Sequence, residues 1–304
     1  MRRTERARSM RAMPNIAVSG RTRLFPIIGY PVSHVHAPSV FNTLFSEARV
    51  DALCIPLGLP PEAVAATCRG LLASDTVGGL LVTVPYKRQL AHLADELSDQ
   101  ARRAGAVNAL RRDADGRIFG ELFDGLGFVQ GLRAAGHELR GKRVLLLGAG
   151  GAGSAIASSL GDVGAAQVTM FDVSHGLAIQ LATHLGAHFR ETRFATSNSP
   201  QDAEAQFVIN ATPLGLKHSD PLPFEVQSAR PGTVICDIIM EPSITPMMAA
   251  AAARGLQVHG GRMMLDHQAS PYLEFFGFKD IGERVVVGPA GPMLRPCVAG
   301  ADGV

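Results

Sequence analysis

Short apolar runs recur along the chain, and between them lie stretches in which apolar residues return every three or four positions. "LFPIIGY" (24–30), "VDALCIPLGL" (50–59) and "VGGLLVTVP" (77–85) are nearly continuous apolar runs, the pattern of buried strands. "SVFNTLFSEA" (39–48) and "PEAVAATCRGLLA" (61–73) carry the helical period, with Pro61 and Glu62 marking a helix start. The second half is more regular. "KRVLLLG", "QVTMFD", "AQFVINAT" and "GTVICDII" read as strands, while "GAGGAGSAIASSLGDVG" and "SHGLAIQLATHLG" read as helices. Such alternation predicts an α/β fold with a parallel sheet covered on both faces. The stretch after Val287, "GPAGPMLRPCVAGADGV", is rich in Gly and Pro and is expected to be a flexible tail.

Composition narrows the class. At 304 residues and 46% hydrophobic, the chain can bury a large core and is expected to form about two domains. The net charge of +2 calls for no acidic partner. Residues 1–12, "MRRTERARSMRA", carry five Arg against one Glu. No apolar region follows them, so they are not a secretory signal; they read as a disordered extension or a short presequence. No apolar run reaches the ~20 residues that span a membrane. Cys54, Cys68, Cys236 and Cys297 show no CxxC or metal-like spacing, which predicts reduced, buried thiols in a cytoplasmic protein. The absence of Trp and the three Tyr argue against a surface that stacks nucleic-acid bases.

The strongest local signal is "GAGGAG", which sets Gly148, Gly150 and Gly153 in the G-x-G-x-x-G register between a predicted strand and helix. Glycines there permit a tight turn, close approach of the backbone to a pyrophosphate, and close packing of helix on strand. The helix N-terminus offers free N–H groups to the phosphates, so Ala149, Gly151 and Ala152 join the candidate cofactor residues. The next strand ends at Asp172, 24 residues beyond Gly148. An acid there accepts hydrogen bonds from a ribose diol and repels a 2′-phosphate. With no Arg in "FDVSH", the expected cofactor is NAD rather than NADP. The alternative is that Asp172 caps the helix beginning near Ser174.

Further motifs frame this loop. "GYPVSHVHAP" (29–38) holds His34 and His36, a spacing that suits a metal site, a base or neither. "LVTVPYK" ends on Lys87 and "GELFDG" contains Asp124. Alone, these read as a surface lysine and a turn aspartate. Together the set resembles the shikimate dehydrogenase family over about residues 24–285. "GYPVSHVHAP" is similar to that family's G-x-P-x-x-H-S-x-S-P, "LVTVPYK" to N-V-T-x-P-x-K, "AGAVN" to A-G-A-V-N-T, and "GELFDG" to G-x-N-T-D-G. "NATPLG", "DIIMEPSITPM" and "GRMMLDHQ" are similar to N-A-T-P-x-G, D-x-x-Y-x-P-x-x-T-P-L and G-x-x-M-L-x-x-Q.

The resemblance implies a substrate-binding catalytic domain from 24–124 and 262–287, and a Rossmann domain from 125–261, with the active site between them. Residues 1–23 would be an extension and 288–304 a tail. It implies an NAD-linked oxidoreductase acting on shikimate, quinate or a related cyclic hydroxy acid, as monomer or homodimer, with no nucleic-acid or membrane partner. The pathway would be aromatic amino-acid biosynthesis or quinate metabolism. Lys87 and Asp124 match the catalytic pair that meets the reacting hydroxyl. Thr83, Asn108 and Gln268 match substrate contacts, as do the positions of Val35 and Ala37. Asn210, Ala211, Thr212, Met240 and Gly261 join the cofactor side. His34 would be a structural hydrogen-bonding residue. The residue types suit the chemistry, because a lysine can take a hydroxyl proton and a neighbouring aspartate can hold its amine in place.

Several polar positions of the family pattern are apolar here. The two serines that hold the substrate carboxylate are Val35 and Ala37, the Asn of N-V-T is Leu81, the Asn-Thr of the aspartate motif is Leu122-Phe123, and the Tyr of D-x-x-Y is Met240. Two lost hydrogen bonds to a carboxylate are worth roughly 1.5–3 kcal/mol each. Shikimate binding is therefore expected to be about 10²- to 10⁴-fold weaker. A second reading from another class is a non-catalytic module that binds NAD and a small ligand. The Lys87–Asp124 pair separates the two, because a sensor has no need of it.

Overall fold

The computed structural model describes residues 18–295. The first part of the chain runs through β1 (Arg23–Gly29), α1 (Ala37–Glu47), β2 (Ala52–Gly58), α2 (Val64–Ala73), β3 (Leu80–Val82), α3 (Lys87–Ala91), β4 (Glu96–Leu97), α4 (Asp99–Ala104), β5 (Ala109–Arg112), β6 (Ile118–Glu121) and α5 (Asp124–Ala134). Its strands form one sheet in the order β2-β1-β3-β5-β6-β4. Alternation along each strand sorts side chains onto two faces. Phe25 and Ile27 face a core with Phe41, Phe45 and Tyr272, while Ile28, Leu80 and Val82 face another with Val64, Leu72 and Leu90.

This sheet is mixed, against the expectation of a parallel one. β1 pairs in parallel with β2 and β3, but β5 runs antiparallel to both β3 and β6. The local cause is a tight turn. The Gly116 amide donates to the Asp113 carbonyl at 2.9 Å, and Gly116 has φ +87°, so β5 folds straight back as β6.

The second sheet is built from β7 (Arg143–Leu147), α6 (Gly151–Asp162), β8 (Gln167–Phe171), α7 (His175–His188), β9 (Arg193–Thr196), β10 (Phe207–Asn210), β11 (Val234–Asp237), α8 (Pro246–Ala253) and β12 (Gln257–Gly260). Its order is β12-β11-β10-β7-β8-β9, with every pairing parallel. Val144 and Leu146 pack on one face, Leu145 and Leu147 on the other. The strand order reverses between β7 and β10, which opens a crevice at their carboxyl ends.

The chain then returns to the first sheet through α9 (Arg262–Asp266), α10 (Ala269–Phe275) and α11 (Lys279–Gly282). Tyr272, Leu273 and Phe276 complete the core around Phe25. The expected flexible tail is ordered through residue 295. β13 (Val285–Gly288) and β14 (Gly291–Leu294) form an antiparallel hairpin, and Val285 and Leu294 pack on that same core. The expected extension likewise has structure from residue 18 onward. Thr22 is buried and donates to Asp51 at 2.6 Å. Residues 1–17 and Cys297 lie outside the described residues. Cys54, Cys68 and Cys236 are buried and unpaired, and burial pushes the Cys68 thiol up to about 11.

Candidate active site

The glycine loop lies at the reversal of strand order. Gly148 closes β7 with φ +99°, a conformation only glycine adopts at low cost. A Cβ on Gly153 would collide with the Gly148 carbonyl, so loop and helix meet backbone to backbone. A Cβ on Gly150 would meet nothing within 4 Å, which leaves space outside the loop. The first amides of α6 have no partner within the helix. This cradle fits a dinucleotide pyrophosphate: Gly150, Gly151, Ala152 and Gly153 would hold it.

The residues expected on the far side of the cradle divide. Ala211 is in place, since a Cβ on Gly148 would sit 2.9 Å from its carbonyl oxygen. Asn210 is turned inward. Its Oδ1 accepts from the Thr212 amide at 3.0 Å and hydroxyl at 2.6 Å, and its Nδ2 donates to the Leu214 carbonyl at 2.9 Å and to Asp237 at 3.1 Å. Asp237 also accepts from Thr245 at 2.8 Å, and burial raises its pKa above the usual carboxylate range. Asn210, Thr212 and Asp237 thus lace the ends of β10 and β11 together. Gly261 packs under the Ile238 carbonyl, where a side chain has no room. Met240 reaches back to the core that contains Phe123 and Leu265.

Across the crevice, α5 begins at Asp124 and α3 at Lys87. Lys87 Nζ donates to Asp124 Oδ2 at 2.5 Å, with both side chains largely shielded from solvent (11% and 5% exposed). Gln268 Nε2 donates to the other oxygen of Asp124 at 3.4 Å. Asn108 Nδ2 in turn donates to Gln268 Oε1 at 3.2 Å, while Asn108 Oδ1 accepts from the Phe123 amide at 2.9 Å. Four of the residues singled out in the sequence therefore form one buried chain. The pair also faces the glycine loop, because a Cβ on Gly151 would sit 3.4 Å from Lys87 Cβ.

Thr83 follows β3 and lies beside Gly29, at the root of the histidine loop. Val35 is half-buried against the Phe123 core and Ala37 is buried at the start of α1. His34 is exposed and makes no hydrogen bond among the described residues, so the expected structural role is not seen; of the two histidines only the His36 carbonyl is used, accepting from Ser39 and the Val40 amide. Two contributors escaped the sequence reading. Arg88 and Arg103 both reach from the first sheet's helices to α6 and the glycine loop that flank the second sheet. Arg103 Nη2 contacts Asp162 at 3.0 Å and its guanidinium lies 5.2 Å from the Phe189 ring centre. Their only sequence signal is a basic residue near the lysine motif and another on α4.

A parallel sheet with a glycine cradle at its crossover, opposed by a lysine–aspartate pair on a second sheet, defines a dinucleotide-linked α/β oxidoreductase. A family model described as the shikimate dehydrogenase substrate binding domain matches residues 27–110. The shikimate dehydrogenase (NADP(+)) of Acidiphilium cryptum is 40% identical over 86% of this chain and 92% of its own length. That of Rubrobacter xylanophilus is 37% identical over 83% and 89%. Among solved structures, shikimate dehydrogenase of Aquifex aeolicus superposes with TM-score 0.78 at 30% identity, covering 88% of this chain and 98% of its own. The ligand-free 5-ketofructose reductase of a Gluconobacter species gives 0.76 at 27%, covering 87% and 99%. The chain belongs to the shikimate dehydrogenase family and is a shikimate dehydrogenase-like, NAD(P)-dependent oxidoreductase.

The relatives correct the cofactor expected from Asp172. They are named for NADP(+), so NADP is favoured over NAD. The structure supplies a physical reason why Asp172 misled. Its Oδ2 accepts from the Ala149 amide and its Oδ1 from the Ser174 amide, both at 2.8 Å. The carboxylate braces the glycine loop and the following turn; it does not cap the next helix, whose N-cap is Ser174.

Proposed function

We propose that the chain carries out reversible hydride exchange between NADP(H) and the hydroxyl or ketone of a small ring compound of the shikimate kind, with Lys87 moving the proton. The observation that carries this is the 2.5 Å Lys87–Asp124 pair set against the glycine loop. Bound NADP(H) supplies the hydride chemistry. In oxidation, Lys87 Nζ accepts the hydroxyl proton, and in reduction it returns it. Asp124 fixes Nζ, and Gln268 with Asn108 fixes Asp124. Residues 24–124 and 262–287 form the substrate side and 125–261 the dinucleotide side. The buried, unpaired thiols support a reducing compartment such as the cytoplasm.

The substrate side favours a compound that relies little on a carboxylate. Val35, Ala37, Leu81 and Phe123 carry no side-chain donor, and Asn108 and Gln268 each commit one amide N–H to the internal network, which leaves the Thr83 hydroxyl and their second N–H groups. A buried carboxylate with too few donors is costly. The Gluconobacter relative is named for a keto sugar rather than an acid, which supports the same direction. The test is nicotinamide absorbance with NADP and NAD over shikimate, quinate and carboxyl-free ring polyols and ketones. NADP-linked turnover is expected, with shikimate a poor substrate. NADP binding by calorimetry without turnover of any compound would overturn the enzyme reading in favour of a binding module.

A further inference from the structure

The glycine loop is gripped from outside its own sheet. Arg88, next to Lys87, sends Nη2 to the Ala149 carbonyl at 2.8 Å and to Ser154 Oγ at 3.3 Å. Ser154 is fully buried and donates to the Gly150 carbonyl at 2.5 Å. The Ala149 amide is held by Asp172 at 2.8 Å. Residue 149 is thus pinned at its N–H from the second sheet and at its carbonyl from the first.

The consequence follows from peptide geometry. The Ala149 carbonyl and the Gly150 N–H belong to one planar trans unit and point to opposite sides. Holding that carbonyl on Arg88 therefore fixes the direction of the Gly150 N–H, one of the free donors of the cradle. Asp172 and Ser154 hold the groups on either side, Arg88 is the side chain that holds this carbonyl, and Gly150 itself gives the peptide little resistance to rotation. The same side chain ties the loop to the element that starts with Lys87.

We infer that Arg88 is a positioning residue: it orients the glycine loop for the dinucleotide from across the crevice, and so sets cofactor seating and the placement of Lys87 together. This rests on the dehydrogenase reading above. One guanidinium nitrogen, Nη2, serves both acceptors, so a lysine that reaches the same spot can keep part of the hold.

The test measures NADP affinity by calorimetry and steady-state kinetics on the best substrate, for wild type, Arg88→Ala, Arg88→Lys and Arg103→Ala. Arg88→Ala is expected to weaken NADP binding and lower kcat, each about tenfold, with the KM for the alcohol unchanged. Arg88→Lys should recover part of both. Arg103→Ala removes a tie from α4 to α6 that does not touch the glycine loop, on an Asp162 that Gln100 also holds, and should lower Tm while leaving NADP affinity within about twofold. Wild-type affinity and kcat in Arg88→Ala, with only a lower Tm, would overturn the inference and leave the dehydrogenase reading intact. So would equal weakening in Arg103→Ala. If Arg88→Ala does not fold, Arg88→Lys decides: an unchanged Kd and kcat overturns the inference, and a partial loss of both supports it. Failure of wild type to bind NADP at all would overturn both readings.

Discussion

The two walls of the crevice are specified in different ways. On the dinucleotide wall the proposed ligand-facing groups are backbone, and their placement depends on φ angles and on side chains being absent: Gly148 at φ +99°, Gly153 against a carbonyl, Gly150 facing open space. On the substrate wall they are side chains, Lys87, Asp124, Gln268 and Asn108, held in series by hydrogen bonds. A backbone site tolerates almost no change at its glycines and reads almost nothing else. A side-chain site can be altered residue by residue around a fixed reactive pair. That is the pattern proposed here, where the Lys–Asp pair is kept while Val35, Ala37, Leu81 and Phe123 stand at positions that are polar in the family motifs.

The sharpest way to separate the walls is to damage each alone. Lys87→Ala should lower kcat by roughly 10²–10⁴. Its NADP affinity should stay within about twofold in calorimetry, since the cradle is backbone. Comparable losses of kcat and NADP affinity would erase the distinction. On the other wall, Gly153→Val should weaken NADP binding about 10²-fold, because a side chain there must displace the Gly148 carbonyl. Equilibrium binding of substrate to this variant should change far less.

A smaller effect comes from behind the crevice, where α5 packs on α9. His259 is 4% exposed, its Nε2 has no partner among the described residues, and the Phe128 ring stands edge-on at 6.1 Å. Burial, with smaller contributions from His137 and His267, lowers its pKa to about 4 from an ordinary 6.5. Between these values the unfolded chain binds a proton that the folded chain does not. Stability from this residue is therefore complete above about pH 6.5 and is lost as pH falls towards 4, on the order of 1–3 kcal/mol. Thermal melts from pH 4 to 7 should show this slope in wild type and a flatter one in His259→Phe.

How much of this was legible differs by wall as well. β7, β8, β10 and β11 are buried on both faces and appear as plain apolar runs, so the dinucleotide wall could be read directly. β9 and β12 are sheet edges of four residues each, exposed or half-covered except for His259, with no such run to find. The Gly/Pro-rich segment after Val287 reads as loose, yet its glycines supply the turn of a hairpin, with Gly291 at φ +113°. Asp172 carries the same local signal as a ribose acceptor and as a loop brace, and only the Ala149 and Ser174 contacts distinguish them. Arg88 was invisible because its partner Ala149 lies 61 residues away.

The central claim is that the substrate wall has lost its hold on a carboxylate while the reactive pair remains. Steady-state kinetics on shikimate with NADP, for wild type and the double variant Val35→Ser with Ala37→Ser, test it most directly. A clamp binds ground and transition states alike, so its effect should fall on KM. The account expects a high wild-type KM for shikimate that drops at least about tenfold in the double variant, with kcat little changed. A low wild-type KM that rises in His36→Ala would contradict it, because His36 would then be the carboxylate donor.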